Sequence, residues 1–256
     1  MERQVRIGTS GWHYKHWRDN FYPPKLKTDA MLAYYAERLD TVEINNSFYR
    51  LPTADAVRNW VQTTPPGFLF AVKASRYITH NRKLNDPEGS FAKFMEMAEG
   101  FGEKLGPILF QLPPKWNVNA ERLRAFLRAL PRGNQYAFEF RHPSWLTDEV
   151  YDILHRSNAA LCIYEIAGFQ SPVKLTADFT YLRLHGPGER AYQGKYSADV
   201  LRRWADQIAD WRSRGCQAYV YFDNDQAGYA VQDAVELLKL TSNAPNVNPS
   251  APRIAS

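Results

Sequence analysis

The chain has 256 residues, of which 45% are hydrophobic and 23% charged, and its formal net charge is +5. This composition is typical of a globular protein, and the length suits an α/β barrel. Two cysteines are too few for a disulfide framework, no run approaches the roughly 18 apolar residues of a membrane span, and the first residues lack the apolar core of a signal peptide. The sequence therefore predicts a cytoplasmic protein without a membrane partner.

Eight short apolar segments bounded by Gly, Pro or polar residues are typical of β-strands. In chain order they span residues 5–12, 41–49, 68–75, 106–114, 136–145, 159–165, 179–186 and 217–225.

Segments with apolar residues at helical spacing separate most of these strands. Residues expected to cap those helices are Thr28, Thr53, Asp86, Asn119 and Ser197. No helical pattern follows the sixth strand, and the last helix is predicted over 226–240. The remainder, 241–256, is rich in Asn, Pro, Ser and Ala, which predicts a disordered tail.

Alternation of strands and helices predicts a parallel sheet, and eight such units predict a closed (β/α)8 TIM barrel. The barrel forms a single domain over 1–240, with an irregular or missing helix after the sixth strand. An open doubly wound sheet is the alternative, but the segment Gly-Thr-Ser-Gly at 8–11 lacks the third glycine of a dinucleotide-binding turn.

Polar and ionisable residues collect where the predicted strands end, which is where barrel enzymes place their active sites. The candidates are Glu43, Asn45, Lys73, Gln111, Glu139, Arg141, His142, Arg183, His185 and Asn224. A barrel interior is normally apolar, so ionisable groups on four inward faces favour a functional pocket. The alternative is a structural lattice of ion pairs.

The residue types suggest roles for these side chains. Glu139 and His185 are candidates for proton transfer, with Glu43 and Asn45 orienting the reacting groups. Glu139 as a salt-bridge partner and His185 as a buried structural histidine are the alternatives. Lys73, Arg141 and Arg183 are candidates for holding an anion, with Gln111, His142 and Asn224 as further polar contacts. Lys73 is alternatively a nucleophile.

A metal site is a second interpretation of the same residues. His185, Glu139 and Glu43 would be its ligands, although their spacing matches no metal-binding signature and no cofactor is predicted. Aromatic residues in the loops, among them Trp12, Tyr49 and Trp145, form a candidate rim that could stack on a base or a sugar, or could plug the barrel mouth.

Six motifs occur in order along the chain: Gly-Thr-Ser-Gly-Trp at 8–12, Val-Glu-Ile-Asn-Asn-Ser-Phe-Tyr at 42–49, Phe-Ala-Val-Lys-Ala-Ser at 70–75, Leu-Phe-Gln-Leu-Pro-Pro at 109–114, Glu-Phe-Arg-His-Pro-Ser-Trp at 139–145 and Tyr-Leu-Arg-Leu-His-Gly at 181–186. Together they resemble the YecE-like family, also called domain of unknown function 72. The resemblance implies a TIM barrel and names no reaction. At the eighth strand the family usually has Asn-Asn, whereas this chain has Asp223, Asn224 and Asp225.

Three functions are compatible with the sequence. The first is an enzyme for a small anionic substrate bearing a phosphate or carboxylate, with Glu and His groups for acid–base chemistry. The second is a metal-assisted phosphoester hydrolase that uses a divalent metal. The third is a non-catalytic module that binds a nucleotide or single-stranded nucleic acid. The sequence leaves the oligomeric state open.

Overall fold

A computed structural model describes residues 5–85 and 87–242. Its strands are β1 Val5–Thr9, β2 Thr41–Ile44, β3 Leu69–Lys73, β4 Leu105–Leu112, β5 Tyr136–Phe140, β6 Ala160–Ile166, β7 Phe169–Gln170, β8 Phe179–Leu184 and β9 Gln217–Phe222. All except β7 are parallel to their neighbours, and their order around the sheet is β1-β9-β8-β6-β5-β4-β3-β2. The predicted eight-stranded parallel barrel is confirmed.

The barrel closes between its first two strands. A parallel bridge joins Ser10 to Glu43, and the backbone N–H of Gly11 donates to the carbonyl oxygen of Glu43 at 2.9 Å. Gly8 permits this approach, because a Cβ there would overlap the carbonyl oxygen of Thr41. Closure brings the end of β1 beside the end of β2, so that Ser10 and Glu43 share one side of the mouth.

The helices in the described part of the chain lie outside the strands: α1 Met31–Ala36, α2 Ala54–Thr63, α3 Pro87–Glu99, α4 Ala120–Ala129, α5 Asp148–Arg156, α6 Ala198–Ser213 and α7 Tyr229–Ser242. The caps Thr53, Asn119 and Ser197 are confirmed, since each side chain accepts a backbone N–H of the first turn. The prediction that Thr28 caps the first helix is wrong, because Thr28 begins a 3₁₀ turn, Thr28–Ala30, that precedes α1.

The later elements confirm one prediction and shift one boundary. The described residues between β6 and β8 contain no helix, as the missing helical pattern indicated, and the short strand β7 pairs antiparallel with β6. The last helix begins at Tyr229, after a turn at Gly228 with positive φ, and continues to Ser242. The predicted cap Asp86 and the tail from 243 to 256 lie outside the described residues.

Two apolar cores result from strand alternation. The larger core lies between the strands and the helices. The smaller core fills the barrel interior with Ala71, Leu109, Ala137, Ala160, Cys162, Phe179, Tyr181, Tyr219 and Tyr221. The interior chains at the carboxyl ends of the strands are charged, and they form the floor of the mouth.

Candidate functional site

Arg183 on β8 is the centre of a buried ionic network. Its Nη1 donates to Oε2 of Glu139 at 2.8 Å, and its Nη2 donates to Oε2 of Glu43 at 2.9 Å. Nη2 also lies 3.3 Å from Oδ2 of Asp223. One guanidinium therefore joins carboxylates from β2, β5 and the segment after β9, a geometry that a planar fork of donors suits.

The two buried glutamates accept hydrogen bonds from further donors. Ser10 and the Tyr181 hydroxyl, the latter at 2.7 Å, donate to Glu43. The Arg141 Nε donates to Oε1 of Glu139. Burial alone would raise the pKa of Glu139, but the Arg141 and Arg183 guanidiniums outweigh it and hold that pKa well below its usual range. Glu139 is therefore a carboxylate at neutral pH.

His185 lies between a carboxylate and two guanidinium groups. Its Nδ1 lies 3.1 Å from Oδ2 of Asp223, and its Nε2 lies 3.1 Å from Nη2 of Arg141 and 3.3 Å from Nη1 of Arg183. A guanidinium can only donate, so Nε2 must accept and Nδ1 must carry the proton. Burial, followed by the charge of Arg183, lowers the pKa of His185. The ring is therefore neutral at pH 7.

The neutral tautomer gives a direct prediction. In nitrogen-15 NMR spectra of the wild-type protein at pH 7, we expect His185 to show a protonated Nδ1 and an unprotonated Nε2. A ring protonated at both nitrogens, or at Nε2 alone, would contradict the assigned tautomer.

Lys73, at the end of β3, differs from the arginines. Its Nζ lies 4.5 Å from the centre of the Phe48 ring and has no hydrogen-bond or salt-bridge partner among the described residues. Burial lowers the pKa of Lys73 to about 8; the charge of Arg183 acts in the same direction, and Glu139, Glu43 and Asp223 oppose it. Lys73 is thus a half-buried amine that changes charge close to neutral pH.

Arg141 connects the network to a cavity. Its Nε and Nη2 contact Glu139 and His185, whereas Nη1 has no hydrogen-bond partner within the described chain. The guanidinium packs 4.5 Å from the centre of the Tyr164 ring and lines a cavity of about 310 Å³. Arg141 is the charged residue among the described walls of this cavity, and Lys73 does not line it.

Four polar candidates have varied surroundings. Asn224 is buried, and its Nδ2 donates to Asp233 and to the carbonyl oxygen of Gly194, each at 2.8 Å. Contrary to the prediction, its amide nitrogen is therefore not available to an anion. His142 contacts the Ser144 hydroxyl through Nδ1 at 2.9 Å. Gln111 is half-buried and aligned with Glu139 across the sheet. Asn45 lines a separate cavity beside β1 and β2.

The predicted aromatic rim is only partly present. Tyr49 is 81% exposed and Trp12 is half-buried at a cavity wall. The prediction for Trp145 is wrong: its indole is fully buried, stacks 5.0 Å from Phe140 and donates to the carbonyl oxygen of Trp116. A short 3₁₀ turn after β5 directs this side chain inward, so it cannot stack on a ligand.

One acidic residue after β9, Asp223, was not assigned to the site from the sequence, and Asp225 close by carries a second carboxylate. Asp223 contacts Arg183 and His185; although burial raises its pKa, the hydrogen bond from His185 and the charge of Arg183 lower it overall. Asp225 accepts the Trp17 indole N–H at 2.6 Å, and burial raises its pKa to about 6. The departure from Asn-Asn at this strand was the available signal, since it introduces carboxylates beside the cations.

The alternative metal ligands have other partners. Within residues 5–85 and 87–242, no group of three or more His, Cys, Asp and Glu side chains is arranged to hold a metal ion. The oxygens of Glu43 and Glu139 and both ring nitrogens of His185 contact the network instead.

Within the described residues, no helix has the length and apolar character to cross a membrane.

Fold and site together define a TIM-barrel protein with a buried ionic network beneath its mouth. The chain belongs to the family described as "Protein of unknown function DUF72", whose model matches residues 6–255. It is 27% identical to the UPF0759 protein YunF of Bacillus subtilis over 92% of this chain and 94% of that protein.

Solved structures support the same assignment. A DUF72 family protein from Thermotoga maritima is 28% identical and superposes with a TM-score of 0.83, covering 93% of this chain and 99% of that one. A DUF72 family protein from Enterococcus faecalis is 19% identical with a TM-score of 0.74, covering 97% of this chain and all of that one, and this likeness shows the fold alone.

Proposed function

We propose that this protein is an enzyme acting on a small anionic substrate, with a phosphate or carboxylate held by Lys73 and Arg141 at the barrel mouth. The observation that carries the proposal is Lys73: its side chain is half-buried, burial lowers its pKa, and no carboxylate of the described chain pairs with it. Burying an unpaired charge is costly, so an arrangement of this kind is expected to serve a ligand.

The other cations divide into two kinds. Both terminal nitrogens of Arg183 form salt bridges, one with Glu43 and the other with Glu139. We therefore assign Arg183 the role of organising the network rather than that of binding substrate. Glu139 and His185 fix the orientation of the Arg141 guanidinium, whose Nη1 can donate to an oxygen of the substrate anion. A preorganised guanidinium of this kind loses little entropy on binding a carboxylate or phosphate.

Proton transfer falls to a different residue from those first considered. Glu139 stays ionised, and both nitrogens of His185 are engaged, so neither is suited to exchange a proton near neutral pH. Lys73, with a pKa of about 8, is suited to it. A bound anion would stabilise the ammonium form and raise this pKa, which couples substrate binding to proton uptake.

Neither of the other two functions gains support from a described contact. The metal-assisted hydrolase and the nucleic-acid module therefore stay predictions from sequence, as does the choice of oligomeric state.

The pH dependence of anion binding tests the proposal. We expect inorganic phosphate or sulfate to bind more weakly by at least about tenfold at pH 9.5 than at pH 7, because Lys73 loses its proton between these values. Isothermal titration calorimetry measures the affinities, and sulfate is the cleaner probe because its charge does not change in this range.

Lys73→Arg is the matched control, because arginine remains charged throughout. Its sulfate affinity should fall much less over the same range. Wild-type binding that is independent of pH, or an equal fall in both proteins, would contradict the role of Lys73.

A further inference from the structure

A second cavity lies on the β1 and β2 side of the barrel, away from Arg141. It has a volume of about 390 Å³ and is open to solvent. Its lining comes from the loop after β1, the end of β2, the turn before α1 and the outer part of α2. This volume suits one small ring-shaped ligand.

The walls of this cavity are aromatic and its base is aliphatic. Trp12 and Trp60 meet edge to face, with ring centroids 5.2 Å apart and planes at 87°. Leu32 and Ile44 are buried at the base. Both indoles are half-buried, so each is supported by the fold and still exposes part of its ring. A ligand with an apolar face can pack against such a wall.

Uncharged polar groups surround these aromatic rings. The cavity is lined by the amides of Asn45, Asn46 and Asn59 and by the hydroxyls of Thr28 and Thr63. Oδ1 of Asn45 is buried without a hydrogen-bond partner in the described chain, which leaves an acceptor for a ligand to satisfy. Amides and hydroxyls offer both donors and acceptors, as do the hydroxyl groups of a polyol.

The charged residues do not favour a second anion site. Among the described residues, Asp29 and Glu43 line the cavity together with His13, whereas no lysine or arginine does. Glu43 is occupied by Arg183 and Tyr181, so Asp29 at the exposed edge is the carboxylate open to a ligand. A lone carboxylate can accept two hydroxyl groups as readily as it can pair with a cation.

We propose that this cavity binds a neutral sugar ring, with its C–H face on Trp60 or Trp12 and its hydroxyl groups on Asn45, Asn59 and Asp29. This combination of an aromatic wall with short amide and carboxylate side chains matches a pyranose, which is apolar on its faces and rich in hydroxyl groups at its edge. The site is independent of the anion at Lys73. The segment 45–48 lies between the two sites. Asn45 and Asn46 line the sugar cavity, whereas Ser47 and Phe48 contact Lys73.

Saturation-transfer difference NMR tests the proposal with D-glucose, D-galactose, D-mannose and D-xylose as probes, each at millimolar concentration. We expect at least one of these sugars to receive saturation in the wild-type protein, most strongly at its ring C–H protons. Trp60→Leu and Asn59→Ala should each reduce the signal several-fold. Asn59 is exposed, so its variant tests the contact even if Trp60→Leu perturbs packing against Phe101.

Asn81→Ala is the matched control, because Asn81 is an exposed asparagine that does not line this cavity. Its signal should equal that of the wild type. Absence of signal from all four sugars, or signal unchanged by both cavity variants, would overturn the proposal. Saturation of tetramethylammonium in their place would also overturn it and assign the cavity to cations.

The sugar site and the anion site are tested separately. Lys73→Arg should leave the sugar signal intact, and Asn59→Ala should leave sulfate binding intact. Loss of both ligands in either variant would indicate general disruption of the mouth and would contradict two independent sites.

Discussion

Replacing Arg183 with methionine is expected to lower the free energy of unfolding by about 3–5 kcal/mol, the usual cost of removing one partner from a buried ion pair. The change removes the donors that Glu43 and Glu139 share, and both carboxylates are fully buried. Urea denaturation of wild type and variant at pH 7 measures the difference.

A triple variant distinguishes lost pairing from poor packing. Adding Glu43→Gln and Glu139→Gln to Arg183→Met removes the uncompensated negative charges while preserving shape. We expect the triple variant to regain much of the lost stability, because neutral amides are far less costly to bury. A triple variant as unstable as Arg183→Met alone would show that the arginine acts through packing.

Lys73→Met is expected to weaken sulfate and phosphate binding by about 10–100-fold, since a hydrogen bond to a charged group contributes roughly 1.5–3 kcal/mol. The fold should not suffer, because the ammonium that is removed has no described partner. The measurement is the rise in midpoint of thermal unfolding with anion concentration, which reports binding to the folded state. Lys174→Met, at an exposed lysine on the outer surface, is the control and should respond as the wild type does.

Stability without any ligand supplies a second readout for the same variant. The pKa of Lys73 is about 8 in the folded protein and 10.5 as an ordinary lysine, so the unfolded chain binds more protons between these values. Lys73 therefore contributes a rise in stability with pH across this window in the wild type, and this contribution should disappear in Lys73→Met. Identical pH profiles would show that Lys73 titrates normally.

The barrel and the inward charges could be predicted because both follow from short-range pattern. Alternation along a strand with period two places Glu43, Glu139 and Arg183 inside once the strands are recognised. How these charges pair could not be predicted, since Arg183 contacts residues that lie far away in sequence. The sequence alone therefore favoured Arg183 as an anion ligand, whereas in the fold its own carboxylates occupy it.

Loop and helix contacts account for the other differences. Asn224 ends beside Asp233 of α7, and Trp145 turns into the core through a short 3₁₀ turn. Neither contact is encoded in the few residues around the strand end. Asp223 illustrates the converse: its local sequence showed a departure from the family pattern, but its contact with His185 emerges only when β8 and β9 lie side by side.

The pairing of β1 with β9 has a consequence for how the barrel is made. The strand nearest the amino terminus pairs with the last strand of the barrel, in register from Val5 with Ala218 to Thr9 with Phe222. During synthesis on the ribosome, β1 cannot gain this neighbour until the residues of β9, Gln217–Phe222, have emerged. Contacts of such long sequence separation form late and slowly. Until then this edge of β1 stays unpaired, and an unpaired strand edge exposes a nascent chain to aggregation.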